Sequence, residues 1–335
     1  MNYPRTYIIA EAGVNHNGDI SKAMKLIDIA SSCGADAVKF QAFRTSNLIL
    51  ENVKKAPYQM ANTGTDKSQS EMLRSLELKK EHYLLLRDYC SNKNLDFLIT
   101  PFDETSLEEL EELNLDAYKI ASTDTTNISF LRKIAKTGKR IFLSTGMCYE
   151  NEVKKAVNAI TEINPNLVIL QCTANYPTPV DEVNLNVITT LKKEYNYEIG
   201  FSDHTEGVGA SPFAVALGAT VIEKHFTIDK TEKGPDHKAS LSPEELSELV
   251  SAIRTVEKYL GSNIKKPTKS ELSTRKSLQK CLVAKKVIRK GELFNETNIT
   301  AKRTGGVGIS AIDFDDLNGQ KSTMDYRKDD IIVHE

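Results

Sequence analysis

Tyr7-Ile8-Ile9-Ala10-Glu11-Ala12-Gly13, an apolar run broken by one carboxylate and closed by glycine, is the stretch whose reading decides the fold. Its length and isoleucines predict a buried strand, and residues 21–33 behind it, apolar at spacings of three and four, predict a helix. The same alternation then recurs. Strands are predicted at 7–13, 37–43, 96–102, 117–122, 140–146, 167–173, 198–204 and 220–227, and helical periodicity fills 80–92, 150–163 and 243–260. Ser242-Pro243-Glu244-Glu245 opens the last helix with a capping serine, proline and acids. Gly34, Gly138, Gly218 and Gly261 stand where helices should stop.

Strand–helix repeated eight times over about 250 residues predicts an α/β fold, a (β/α)8 TIM barrel. A doubly wound open sheet would need a glycine-rich phosphate turn after the first strand, and residues 12–18 do not spell one. The barrel is assigned to residues 1–263 and a polar, proline-containing linker to 264–276. Residues 277–335 read as a small β-rich domain, with strand-like pieces at 281–284, 285–288 and 331–334. Residues 52–74 form a long second βα connection, and long loops on a barrel's active face usually carry function.

A net charge of −2 offers no broad positive field for nucleic acid or an anionic membrane surface. No signal peptide or membrane span is read at the N-terminus, where the apolar run soon meets Glu11 and Asn15. The five cysteines have no CxxC spacing and read as reduced, packed thiols of a cytoplasmic protein.

In a barrel the active site forms at the C-terminal ends of the strands. Those ends carry Glu11; Lys39 and Gln41; Thr100; Lys119, Ser122 and Asp124; Ser144 and Thr145; Thr173; Ser202, Asp203 and His204; Glu223 and His225. Taken singly, a strand lysine can reach solvent, a histidine can be packed and a threonine can cap a helix. On one face together, they predict a site. Lys39 and Lys119 can bracket one anion, with Ser122, Ser144 and Ser202 as neutral donors. His204 and His225 end adjacent strands, and two neutral imidazoles with open positions suit manganese, cobalt or zinc. Glu11, on the strand beside the last one around the barrel, is a candidate acid–base group.

These motifs resemble the sialic acid synthase family. The resemblance rests on Ile8 to Gly18, Ala37-Val38-Lys39-Phe40-Gln41, Thr100-Pro101-Phe102, Tyr118 to Ser122 and Leu143 to Met147. It continues through Cys172-Thr173, Tyr176-Pro177, Gly200 to Thr205, Ile222 to Thr227 and Gly234-Pro235-Asp236-His237. The tail, with Lys290-Gly291-Glu292, Asn298-Ile299 and Lys302-Arg303, is similar to that family's antifreeze-like (SAF) domain.

The resemblance implies an enzyme that condenses phosphoenolpyruvate with an N-acetylmannosamine-type amino sugar, releasing phosphate. It implies a divalent metal on His204 and His225, manganese first, with magnesium or cobalt as alternatives. Lys39, Lys119, Ser122, Ser144 and Ser202 would hold phosphoenolpyruvate, with Thr100 beside them, and Glu11 would assist addition of water. Gln41, Tyr176 and Asp236 match positions that contact the sugar. Asp124 stands where relatives carry glutamate near the sugar, and Ala174 where some carry a polar residue. Arg303 matches an arginine that relatives send into a partner's barrel, which implies a domain-swapped homodimer. Two other readings remain: a Schiff-base aldolase using Lys119 or Lys39, and a sugar-binding protein without turnover.

Overall fold

The computed structural model describes residues 5–63 and 68–334, so the N-terminal tetrapeptide, part of the 52–74 connection and Glu335 lie outside the described residues. Eight parallel strands form the first unit: β1 (Tyr7–Gly13), β2 (Ala37–Ala42), β3 (Asp96–Pro101), β4 (Ala117–Ile120), β5 (Arg140–Ser144), β6 (Leu167–Cys172), β7 (Glu198–Asp203) and β8 (Val221–His225). They pair in the order β3-β2-β1-β8-β7-β6-β5-β4, with β3 packed beside β4 to bring the ends round. This is a TIM-type barrel, closed except for ladder bonds at that one seam.

Strand alternation explains how the sequence makes both a core and a site. Ile9, Ala37, Leu98, Ala117, Phe142, Val168, Leu170 and Val221 pack together inside the barrel. Ile8, Ala10, Val38, Phe40, Ile99, Leu143, Ile169 and Ile222 pack instead among the residues of the surrounding helices. Two or four positions beyond the inner residues, on the same side of each strand, stand Glu11, Lys39, Thr100, Lys119, Ser144, Cys172 and Glu223. The barrel is therefore filled by apolar side chains and crowned by polar ones.

Helices Ile20–Ser32, Lys80–Asn92, Glu150–Thr161 and Pro243–Leu260 fall where periodicity predicts them, and Ser242 caps the last through Glu245 N. All four glycines expected at helix stops take positive φ. The long connection, expected as loop, holds helices Pro57–Thr63 and Gln69–Arg74.

The chain divides into two compact units after Gly261. In the second, β9 (Lys280–Ala284) pairs antiparallel with β10 (Ile299–Arg303). A small core of Leu282, Ala284, Ile288, Phe294, Ile299, Ile309, Leu317, Tyr326 and Ile332 holds this unit. Two expectations change here. Residues 285–288 and 331–334 form no strand, only the isolated bridges Ile288↔Tyr326 and Val283↔Ile331, the first segment being bent at 285–286. The expected linker runs into a helix, Glu271–Leu278, none of whose side chains is buried. Among the described residues no helix is long and apolar enough to cross a membrane.

Candidate active site

The strand ends converge as the alternation requires. Lys39 Nζ lies 2.9 Å from Glu11 Oε2 and donates to Thr100 Oγ1 at 3.1 Å, while Gln41 Nε2 donates to Glu11 Oε1 at 3.0 Å. Lys119, two strands beyond β2, reaches the same region. Its Nζ is 3.4 Å from Glu223 Oε1, and Lys39 Nζ is 3.7 Å from Glu223 Oε2. Ser202 Oγ donates to Glu223 Oε1 at 3.0 Å. The two lysines expected to bracket an anion thus share one carboxylate of the protein itself.

Glu223 was legible as a strand-end residue, but the sequence reading gave it no role. Its parity with Val221 and His225 was the available signal. Two buried ammonium groups face two buried carboxylates, so the cluster is close to neutral. Burial alone would raise Glu223, but Lys119 and Lys39 hold its carboxyl down at about 2. Burial raises Glu11, partly offset by Lys39. Burial works against the charge on Lys39, but Glu11 and Glu223 outweigh it and hold that ammonium above its usual range. For Lys119 burial wins, and its ammonium is depressed.

The neutral donors are close by. Ser122 Oγ accepts from Gly146 N at 2.9 Å and lies 3.6 Å from Cys172 Sγ. Ser144 Oγ is buried with no hydrogen-bond partner among the described residues, a polar atom available to a ligand. Thr145 donates to Leu170 O at 2.9 Å, a structural bond rather than a site contact.

The histidine rings come within 5.5 Å of each other, centroid to centroid. His204 Nδ1 sits 2.8 Å from Thr173 O, and a carbonyl only accepts, so Nδ1 carries the hydrogen and in the neutral ring Nε2 holds the lone pair. Burial works against the charge on this ring, but Cys172 and the Thr173 carbonyl outweigh it and raise its pKa. His225 Nδ1 is buried with no hydrogen-bond partner among the described residues, and burial followed by His204 pushes this imidazole well below its usual pKa. A Cβ on Gly13 would fall 3.3 Å from Glu11 Oε1 and from Gln41 Nε2 and 3.5 Å from His225 Cε1. Glu11, Gln41 and His225 therefore meet around a bare glycine. Among the described residues no group of three or more His, Cys, Asp or Glu is arranged to hold a metal. The two nitrogens fit a cation whose remaining positions are filled by water and substrate, not a closed structural site.

Over the histidines lies an aromatic roof. The Tyr176 ring stands 4.1 Å from His204 and 5.6 Å from His225, and the Tyr58 ring packs against Tyr176 at 5.1 Å, tilted by 31°. Tyr58 comes from the long connection, which Asn62 Nδ2 ties to Pro235 O at 2.7 Å. Sequence reading flagged the connection but not this residue. Asp236 is buried beside the roof, and burial followed by Glu11 raises its carboxyl to about 6.

Asp124 and Arg303 are the remaining expected residues. Asp124 accepts from Thr123 Oγ1 at 3.3 Å and Asn127 Nδ2 at 3.4 Å and has no described bond to the lysines or histidines. Arg303 is exposed on β10 of the second unit. A cavity of about 630 Å³ between helices Glu150–Thr161 and Asn186–Glu194 touches the site wall at Cys172, Thr173 and Ala174, but neither lysine nor imidazole lines it.

Known proteins share this arrangement of chain. The model of the NeuB family matches residues 26–265, and that of the SAF domain matches 279–334. The chain is 48% identical to the N,N'-diacetyllegionaminic acid synthase of Campylobacter jejuni, covering 98% of this chain and 99% of that one. It is 38% identical to the human N-acetylneuraminate-9-phosphate synthase, over 98% and 92% of the two chains. A solved N-acetylneuraminic acid synthetase from Leptospira borgpetersenii superposes with a TM-score of 0.72 at 36% identity, covering 82% and 92%. With the barrel, the tail and the sequence all in agreement, the chain belongs to the NeuB family, with a C-terminal SAF domain.

Proposed function

We propose that this enzyme condenses phosphoenolpyruvate with an N-acetylmannosamine-type amino sugar to give a nonulosonic acid and phosphate. The observation that carries this reading is the meeting of Lys39 and Lys119 on one carboxylate, inside the same barrel mouth as the facing imidazoles of His204 and His225. Identity of 48% to a diacetyllegionaminic acid synthase favours a diacetamido hexose as the first acceptor to try, with N-acetylmannosamine next.

Lys39 and Lys119 hold the phosphate and carboxylate of phosphoenolpyruvate, aided by Ser122, Ser144 and Ser202, with Thr100 fixing Lys39. Gln41, Tyr176 and Asp236 hold the sugar, and Asp124 flanks it. The methylene carbon of phosphoenolpyruvate attacks the sugar aldehyde, forming the carbon–carbon bond and leaving positive charge at the neighbouring carbon. Water adds there, Glu11 takes its proton at the carboxylate, and a proton is returned to the former aldehyde oxygen, which becomes a hydroxyl. The tetrahedral carbon then expels phosphate by carbon–oxygen cleavage. A divalent cation on His204 and His225, manganese foremost with magnesium or cobalt as alternatives, would polarise the aldehyde oxygen and stabilise its developing charge. Tyr58 and Tyr176 exclude water from the roof. The active unit is proposed as a cytoplasmic domain-swapped homodimer in which Arg303 of one protomer reaches the sugar of its partner.

The depressed ammonium of Lys119 would also suit a Schiff-base aldolase. Borohydride reduction in the presence of pyruvate separates the two. No covalent adduct, together with phosphate release from phosphoenolpyruvate, is expected; a trapped pyruvyl-lysine at Lys119 would replace the synthase reading with the aldolase.

A further inference from the structure

The residues that precede the two histidines form a buried ion pair that the reaction does not use. Asp203, before His204, and Lys224, before His225, are cross-strand partners in the β7–β8 ladder. Strand alternation sends their side chains to the opposite side of the barrel wall from Glu223 and His225. There both are buried, with side-chain exposures of 0% and 2%. Lys224 Nζ lies 3.0 Å from Asp203 Oδ2 and donates to Thr205 O at 2.8 Å and Thr205 Oγ1 at 3.3 Å. Asp203 Oδ1 accepts from Thr205 N at 2.8 Å and Thr205 Oγ1 at 2.7 Å, and its Oδ2 accepts from Ser211 Oγ at 2.6 Å. The loop closes tightly over this network: a Cβ on Gly209 would fall 1.8 Å from Thr205 Oγ1.

Stability alone is a poor reason for such a pair, because desolvating two full charges commonly offsets their attraction, and apolar replacements are often neutral or better. Its position supplies another reason. The β7–β8 register ends at Asp203↔Lys224, and His204 lies just beyond the end of β7. At that point ladder hydrogen bonds no longer fix the spacing of the two strands. The side-chain bridge ties them one residue before each imidazole.

We propose that Asp203 and Lys224 are positioning residues, a clamp that sets the separation of His204 and His225 and with it the affinity of the site for a divalent cation. This rests on the metal reading above. The clamp acts through the backbone, so neither side chain touches the cation. Outer-shell changes of this kind typically weaken metal binding about 10–100-fold.

The test uses the full-length protein, with manganese binding followed by electron paramagnetic resonance and the cobalt form by its visible spectrum. In the double variant Asp203→Asn/Lys224→Met the net charge is unchanged, so a loss of affinity reports geometry rather than field. The variant is expected to melt near the wild type, to bind manganese about 10–100-fold more weakly, and to show an altered cobalt spectrum. Wild-type affinity and an unchanged spectrum would overturn the clamp while leaving the metal reading standing. A wild-type protein that takes up neither manganese nor cobalt would overturn the metal reading itself. If the double variant does not fold, Asp203→Asn/Lys224→Gln, also unchanged in net charge, is read in the same way, since it keeps an oxygen acceptor for Thr205 and Ser211 and an amide donor for Thr205.

Discussion

Glu223 is the residue whose replacement most sharply tests the electrostatics of the barrel mouth. Glu223→Gln preserves shape and leaves a carbonyl oxygen for Ser202 Oγ, now 3.0 Å from the carboxylate. What it removes is the charge shared by Lys119 at 3.4 Å and Lys39 at 3.7 Å. A carboxyl held at about 2 instead of 4.5 has its ionised form favoured by about 3 kcal/mol. Because the folded pKa is depressed, that contribution is fully present above pH 4.5 and is lost as pH falls toward 2. At neutral pH the variant should therefore lose about 3 kcal/mol, near the range for breaking a buried pair. At about 2 °C per kcal/mol for a chain of this size, the melting midpoint falls by about 6 °C.

The same substitution takes from Lys119 the carboxylate it faces and leaves Lys39 with Glu11 alone. Inorganic phosphate should then raise the variant's midpoint more than the wild type's, in a differential scanning assay with and without phosphate. A variant that melts within about a degree of the wild type, and that phosphate stabilises no more than the wild type, would refute the assignment of Glu223 as counter-charge to both lysines.

Other perturbations have equally definite outcomes. The Asp236 carboxyl is raised to about 6, so between its usual range and that value the folded chain keeps a proton the unfolded chain has released. This group's contribution to stability therefore shrinks as pH rises through that window, the KM for the amino sugar falls as the carboxylate forms, and Asp236→Asn flattens both profiles. Gly200→Ala would place a Cβ 2.5 Å from Leu170 Cδ2 and 2.6 Å from Val221 O. Urea unfolding should show a loss of about 3 kcal/mol or more, and adding Leu170→Ala should not restore it, because the carbonyl cannot retreat. Tyr58→Ala removes the ring packed against Tyr176 and should raise the KM for the sugar about tenfold, by analogy with buried aromatic anchors, leaving that for phosphoenolpyruvate nearly unchanged.

The barrel was legible because period-two alternation inside short apolar runs, joined by 3.6-residue periodicity, leaves few other folds available. The same parity placed Glu11, Lys39, Lys119, His204 and His225 at one end. What parity could not reveal was pairing. That Glu223 sits between two lysines, or that Asp203 meets Lys224 behind the histidines, depends on the stagger of neighbouring strands. Tyr58 was hidden for a different reason: it belongs to a short helix in the long connection, which the bond from Asn62 to Pro235 ties down beside the site. In the small domain, β10 has one buried isoleucine followed by increasingly exposed residues, too weak an alternation to stand out.

The most direct measurement of the proposed chemistry is phosphate release from phosphoenolpyruvate by chelator-stripped enzyme, with and without added manganese, across a panel of amino sugars. Turnover that requires both the metal and one N-acetylated sugar, with a nonulosonic acid appearing in step with phosphate, is the predicted result. Metal-loaded enzyme that binds phosphoenolpyruvate yet releases no phosphate with any acceptor would contradict it.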